Sequence, residues 1–397
     1  MRVTQNLNQL QFVASLNTLE SNLSQTQNQI STNLSFTTAS QNPVAAGAVN
    51  NYDQALAQSQ QYDTNANSAQ TRLGIEDTAM SQVQSALQSL RTLALEANSG
   101  TLSAQGRSAL ATQATQIQGT LVALGNTQDG NGEYIFSGYA TQTKPFALSA
   151  TGATYSGDQG QRQVQISAGQ SLADGDNGAA VFNQIKTGNG TFTATAGGAN
   201  TGGGLVGAST VTNASAYDGG TYAINFTAAN TYEVRDSSNV LVTSGTYTDG
   251  QSIAFRGVQV TLTGQPATGD TFQVAASSNQ SLFTTVQNLV TALQTSAATS
   301  GSSTKLGNAV NVAINNIDQA LNHSANVRSD IGGRLNAITA QLSASSSQQI
   351  QLKSSISNLQ SLDYASAVTK LDQQNVTLSA AMQAYTLTKG LSLFKFL

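Results

Sequence analysis

The chain has 397 residues, room for two or three domains at the usual ~100–200 residues each, yet only 9% are charged, 16 basic against 20 acidic for a net charge of −4. Cysteine and tryptophan are absent and His323 is the only histidine, which excludes disulfides, cysteine zinc sites, iron–sulfur clusters and multi-histidine metal sites; without a basic excess, nucleic acid is a poor partner. No apolar run is long enough to span a membrane, and the opening MRVTQNLNQLQF has no apolar signal-peptide core or cleavage site, so a chain that left the cell would need another export route.

Residues 1–125 carry three apolar stripes at helical spacing. Leu16, Leu19, Leu23, Ile30 and Leu34 form the first, Met80, Val83, Leu87, Leu90, Ala94 and Ala97 the second, and Leu110, Ala114, Ile117, Leu121 and Leu124 the third. Pro43 breaks the pattern between the first two. Asn98-Ser99-Gly100 ends the second helix, with Gly100 suited to a left-handed cap, and Gly125-Asn126 is expected to do the same for the third. From Asp129 the period changes. DGNG followed by EYIFSGY predicts a turn feeding a strand, and Lys144-Pro145, Gly157-Asp158 and Arg162–Ile166 continue as short strands and turns.

Residues 186–208 are rich in Gly, Ala and Thr and read as a linker or flexible loops. Alternation in Thr221–Phe226, Tyr232–Val234, Ile253–Phe255 and Val258–Leu262, with turns at Asp249-Gly250 and Gly269-Asp270, predicts a compact all-β unit over 209–277. Helical spacing resumes near Phe283. One stripe, Val310, Ile314, Ile317, Leu321, Ile331, Leu335, Ile338, Leu342, then polar Ser345 and Gln349, then Leu352, Ile356, Leu359, describes a helix of about fifty residues, roughly 75–80 Å long, with Gly332-Gly333 as its weak point. The seam then shifts by one, to Tyr364, Val368, Leu371, Asn375, Leu378, Met382 and Tyr385, which predicts a break at Ser361–Asp363. The chain closes on the apolar LSLFKFL.

The expected fold class is α+β, a rod of long N- and C-terminal α-helices forming a coiled-coil-like bundle with an inserted all-β domain. The expected domains are terminal coiled-coil arms at 1–35 and 364–397, a helical bundle with β-hairpins at 36–185 and 280–363, and an outer β domain at 186–279. The arms are unusual: residues 1–71 hold only Arg2, Glu20, Asp53 and Asp63 as charges, so little repels identical copies. Such segments are expected to be mobile alone and to order when neighbouring copies bury their stripes. The candidate assembly residues are Leu16, Leu23, Ile30, Leu34, Val368, Leu371, Leu378, Met382, Tyr385, Leu393 and Phe394.

Reaction chemistry is harder to find. His323 reads as a polar surface residue. Asp174-Gly-Asp176-Asn-Gly178 resembles part of a calcium loop but lacks the distal Glu, and reads as a tight solvated turn. Gly202, Gly203, Gly204 and Gly207 lack the Lys and helix of a phosphate loop. Glu76-Asp77 read as carboxylates at a helix start. No base partners the many Ser and Thr, so neither an enzyme nor a cofactor is expected.

Several segments carry a family resemblance: QIST at 29–32, SQNPVAAGAVNNYDQALAQSQQY, LQSLRTLALEANSGTLSAQGRSALATQ, and above all NTQDGNGEYIFSGYATQTKPF at 126–146. At the far end stand IGGRLNAI, LDYASAVTKLDQQNVTLSAAMQAY and LSLFKFL. Together they resemble the hook-associated protein 3 (FlgL) family of bacterial flagellar hook–filament junction proteins, within the flagellin-like superfamily. The sequence departs from that family in having NLSFTTAS where a basic stretch is usual and Gln41-Asn42 where an acidic pair is usual. The resemblance implies a structural role outside the cell at the hook–filament junction, self-assembly in a tubular layer, the first hook-associated protein (FlgK) and flagellin as neighbours, and an export chaperone of the FlgN type. The YIFSGY block and LDYASAVTKL favour it over flagellin itself, the competing assignment; a secreted adhesin is a third.

Overall fold

The structure is a computed structural model describing residues 2–99, 102–295 and 302–390. The Gly100 cap and the assembly residues Leu393 and Phe394 lie outside the described residues. Six α-helices are present among these residues: α1 (Arg2–Thr32), α2 (Pro43–Ala97), α3 (Ala104–Gly125), α4 (Leu282–Gln294), α5 (Ser302–Gln360) and α6 (Tyr364–Gly390). The chain divides into two compact units, Met1–Thr64 with Ala340–Leu397, and Asn65–Thr339.

In the first unit the helix boundaries follow local chemistry. Pro43 is the first residue of α2, where its missing N–H costs nothing, and the Asn42 side chain accepts from Ala45 N (3.1 Å) as the N-cap. Asp363 caps α6 by accepting from Ser366 N and Ser366 Oγ, contacts that hold its carboxyl below the ordinary range. The first predicted stripe runs one residue too far: α1 stops at Thr32, Asn33 turns with φ +57°, and Leu34 forms an isolated β-bridge to Ser361. Phe36, Ala45 and Val49 pack with Ile356 and Leu359. The polar interruption of the α5 stripe has a partner on α2: Ser345 Oγ meets Ser59 Oγ at 2.8 Å, and Gln349 Nε2 donates to Asp63 Oδ2 at 2.7 Å.

In the second unit, the stripe Met80, Val83, Leu87, Leu90, Ala94 and Ala97 is buried along α2. Glu76-Asp77 lie in the middle of this 55-residue helix, not at its start, so the dipole argument for them fails. Gly332-Gly333 do not interrupt α5. Two ion pairs join α2 to α5, Arg91–Asp318 (2.6 Å) and Arg328–Asp77 (2.9 Å). Asn126 is not a left-handed cap (φ −103°); its side-chain amide instead donates to Phe146 O and accepts from Phe146 N. Phe146 thereby enters a ring cluster with Phe182, Phe283 and Tyr155, extended by Phe136.

EYIFSGY is not a strand. Only Tyr134 makes a bridge, to Gln128, and the rest is a series of turns. Ile135, Phe136 and Ser137 are all buried in succession, which an alternating strand with one wet face could not achieve. Gly138 allows the turn at φ +71°, where a Cβ would collide with Asp158. Two hairpins follow, β1 (Phe146–Ser149) with β2 (Gly152–Tyr155) and β3 (Gln163–Ser167) with β4 (Gln170–Ala173), then a π-helical turn at Ala179–Asn183 and the short strand β5 (Ile185–Lys186).

The β domain begins earlier than alternation alone suggested. Residues 186–208 are not a linker: they contain β6 (Phe192–Ala196) and the start of β7 (Leu205–Val211). The remaining strands are β8 (Tyr222–Ala228), β9 (Thr231–Asp236), β10 (Leu241–Thr246), β11 (Ser252–Phe255), β12 (Val258–Thr263), β13 (Thr271–Ala276) and β14 (Asn279–Gln280), the last paired with β5. A five-stranded antiparallel sheet in the order β10-β9-β8-β13-β6 and a three-stranded sheet β11-β12-β7 share one core, with Phe192, Phe226 and Phe272 at its centre. The glycines that suggest mobility here serve close packing: a Cβ on Gly202 would sit 2.2 Å from Ala267 N, and Asp270 fixes the loop by accepting from Thr201, Gly202 and Ala267 N–H. Asparagines on α5 anchor the domain. Asn308 bonds Val206 N and Gly204 O, Asn311 bonds Val206 O, and Asn316 bonds Gly188 N.

Candidate assembly interface

The sequence of α1 sets its buried edge. The covered positions Phe12, Leu16, Leu19, Leu23, Thr26 and Ile30 recur in alternating steps of four and three. On α6 the same steps link Ala367, Leu371, Gln374, Leu378, Ala381 and Tyr385. A 3.5-residue repeat on both helices keeps one seam of each turned toward the other, as in a coiled coil. The pair is antiparallel. At one end Phe12 stacks on Tyr385 (centroids 5.3 Å, planes 11° apart) and Gln9 Nε2 donates to Tyr385 Oη at 3.3 Å. At the other, Ser35 N donates to Gln360 O (2.7 Å) and Leu362 N to Asn33 O (3.3 Å).

Of the predicted assembly residues, Leu16, Leu23, Ile30, Leu371, Leu378 and Tyr385 lie in this seam, and half-buried Val368 lies beside it. Leu34 closes one end through its bridge to Ser361. Met382 is exposed and outside the seam. Thr26, Gln374, Ala367 and Ala381 also lie in it, polar and small residues that carry no hydrophobic signal; a strict heptad count finds them. Gln374 Oε1 is buried without a hydrogen-bond partner, so this seam is weaker than a leucine seam.

Away from the seam both helices show large apolar side chains to solvent. Leu7, Leu10 and Val13 on α1 and Val376, Met382 and Leu387 on α6 are exposed, Val376 and Leu387 by about 70%. Full burial of a side chain of this size from full exposure is worth roughly 1.5–3 kcal/mol, and each of these would gain the share that matches its exposure. Nothing in either row is nucleophilic or metal-ligating.

The second unit contains the densest charge cluster, at the NGEYIFSGY turn. Arg72 of α2 is buried; its Nη1 donates to Asp129 Oδ2 (3.0 Å) and its Nη2 to Tyr134 O (3.3 Å), with Glu133 at 3.5 Å. Asp129 Oδ1 accepts from Asn131 and Glu133 N–H, so one carboxylate shapes the whole DGNG turn. The DGDNG segment is not solvated. Asp174 is buried and accepts from Arg162 Nε (2.8 Å), and Asp176 accepts from Arg334 Nη2 (2.7 Å). Glu76, fully buried, accepts from Asp176 N at 3.2 Å. Among the described residues no group of three acidic or histidine side chains is arranged to hold a metal ion. His323 is half-buried rather than a surface group, with Nε2 3.0 Å from Ala180 O.

Burial, and then the nearby Asp176 charge, push the Glu76 carboxyl well above its ordinary value, against the opposing pull of Arg334. The folded protein therefore keeps this proton over a pH range where the unfolded chain has lost it. Stability from this group is complete below the ordinary carboxyl value and is lost as pH rises toward the raised one. Glu76→Gln, neutral at every pH, is expected to gain stability relative to the native chain as pH rises from about 4 to 8. Parallel thermal melts across that range check it, and a difference that stays flat would refute it.

Comparison with known proteins places these features. Residues 3–141 match the bacterial flagellin N-terminal helical region and 314–395 the bacterial flagellin C-terminal helical region. Residues 195–276, the β domain, match the D2-like domain of flagellar hook-associated protein 1. The crystal structure of Xanthomonas campestris FlgL is 36% identical, with a TM-score of 0.72 over 77% of this chain and 99% of that one. The chain belongs to the FlgL family. The flagellar junction protein FlgL from Legionella pneumophila is 28% identical with a TM-score of 0.72, covering 79% of this chain and 100% of that one. Flagellar hook-associated protein 3 of Salmonella typhimurium is 37% identical over 157 residues, 40% of this chain. The chain spans about half the length of the curated relatives it matches (49%). The expected α+β fold, long terminal helices with a central β-rich domain, agrees with these FlgL structures.

Proposed function

We propose that this FlgL-family chain is a structural junction subunit of the bacterial flagellum, joining the hook, through the first hook-associated protein, to the flagellin filament. The observation that carries the reading is the antiparallel α1–α6 seam with apolar side chains left exposed beside it. A subunit built this way has one partner within the chain and needs neighbouring copies for the rest. Leu16, Leu23, Ile30, Leu34, Val368, Leu371, Leu378, Met382 and Tyr385, with Leu393 and Phe394, form the assembly surface in this reading. Residues 1–35 and 364–397 act as arms that order on assembly into a tubular layer, 36–185 and 280–363 as the helical body, and 186–279 as an outer domain.

Export follows the flagellar type III route without a cleaved signal peptide, with a chaperone of the FlgN type covering the apolar C-terminal helix until the chain leaves the cell. The family match favours this over a flagellin-type filament subunit. Immunogold labelling of intact flagella with antibody against residues 209–277 tests it. A single band where hook meets filament is expected; label along the whole filament would make the chain a flagellin, and label elsewhere on the cell surface an adhesin.

A further inference from the structure

We infer that Gly175 frames a buried binding site for one water molecule, held by Arg72, Glu76 and the main chain of Ile135. A Cβ built on Gly175 would lie 3.5 Å from Arg72 Nε, 3.6 Å from Glu76 Oε2 and 3.7 Å from Ile135 O. Two of these atoms belong to α2 and one to the NGEYIFSGY turn, and the DGDNG loop supplies the glycine that leaves the space open. A methyl-sized space is thus lined by polar atoms rather than apolar ones, and such a space is wet where an apolar one of the same size stays dry.

The atoms that line it are the ones the rest of the cluster leaves over. Arg72 uses Nη1 on Asp129 and Nη2 on Tyr134 O, yet its buried Nε has no partner. Glu76 uses Oε1 on Asp176 N, yet its buried Oε2 has none. Arg72 is 6% exposed and Glu76 0%.

The chemistry of the lining selects the occupant. Arginine Nε–H is a donor with no lone pair to offer, which disfavours a metal ion. A main-chain carbonyl and a carboxyl oxygen disfavour an anion. Water accepts from Arg72 Nε, donates to Ile135 O and pairs with Glu76 Oε2, from which it accepts while the carboxyl is protonated, about the three bonds a buried water typically makes. The site would add a water-mediated link between α2 and the NGEYIFSGY turn beside the direct bonds Arg72 Nη2 to Tyr134 O and Asp176 N to Glu76 Oε1.

Gly175→Ala tests this because the steric expectation has the opposite sign. Gly175 is not among the residues with positive φ, and no contact of the added Cβ falls below 3.5 Å. If the space is dry, the alanine fills it and, by restricting the unfolded chain, leaves the melting temperature unchanged or higher. If a water sits there, the methyl displaces it and strands two buried polar groups, and the melting temperature falls by roughly 4–8 °C. An unchanged or raised value overturns the inference. A high-resolution crystal structure of the native chain gives a second readout that does not depend on the variant folding. A water within hydrogen-bonding distance of both Arg72 Nε and Glu76 Oε2 is expected; an empty space, or an ion there, overturns it.

Discussion

Replacing Leu371 and Leu378 together by aspartate should abolish incorporation into flagella while leaving the unit Asn65–Thr339 folded. Both leucines are half-buried in the α6 seam, Leu371 three residues before Gln374 and Leu378 four residues after it. Each loses up to roughly 1.5–3 kcal/mol of apolar burial, and each adds a carboxylate to a seam that offers no cation. The described part of the α1 seam, Phe12 to Ile30, contains Glu20 as its only nearby charge, which repels rather than pairs. Pairing of α1 with α6 therefore fails. The core of the other unit, with its own buried aromatics and ion pairs, contains neither residue. Complementation of a strain lacking the native chain reads incorporation, and a thermal melt reads the remaining unit. A contrasting variant separates pairing within the chain from packing between copies. Val376 is about 70% exposed, so Val376→Asp should change the stability of the isolated chain by no more than about 0.5 kcal/mol yet still lower incorporation. Normal incorporation of the double aspartate variant would remove the assembly role from this seam; normal incorporation of Val376→Asp would remove it from the exposed row.

Arg72→Ala should cost about 3–5 kcal/mol of stability. The guanidinium is the counter-charge for Asp129, whose own side chain is only 11% exposed, and it also satisfies Tyr134 O. Removal leaves a carboxylate in poor solvent and takes one of two donors from Tyr134 O, which keeps Ser137 Oγ, while Asp129 remains committed to the N–H groups of Asn131 and Glu133. The NGEYIFSGY turn should then loosen, and proteolysis there should accelerate in the native state. Arg72→Lys keeps the charge but loses the fork that reaches two acceptors at once, so it should recover only part of the loss. Urea denaturation measures both. A loss below about 1 kcal/mol for Arg72→Ala would mean that the cluster contributes little and that the turn is held by Phe136 and its aromatic neighbours alone.

Legibility from sequence tracked the range of the forces involved. The long helices, the break at Ser361–Asp363 and the boundary at Pro43 were readable because periodicity, caps and a missing N–H act within a few residues of themselves. The strands from Tyr222 to Leu262 were readable for the same reason, since alternation across a half-wet sheet is a local pattern. Residues 192–196 escaped notice because FTATA is strand-forming only once Phe192 finds the core and β13 supplies its hydrogen bonds. EYIFSGY was misread because three consecutive side chains are buried by different neighbours, a circumstance no periodic pattern encodes. The leucines of the seam were visible directly; Thr26, Gln374 and Ala381 carry no hydrophobic signal, and only the heptad spacing of their neighbours points to them.

The amino-acid sequence by itself determined the two helical ends, the β insertion between them, the shortage of charge along the arms and the motifs that mark the family. The tertiary structure decided which charges pair and which are buried. Arg72 meets Asp129 across 57 residues, Glu76 meets Asp176 across 100, and Arg334 meets Asp176 across 158. Electrostatic partners at such separations are chosen by the packing of whole elements, and burial is what raises the Glu76 carboxyl well above its ordinary value.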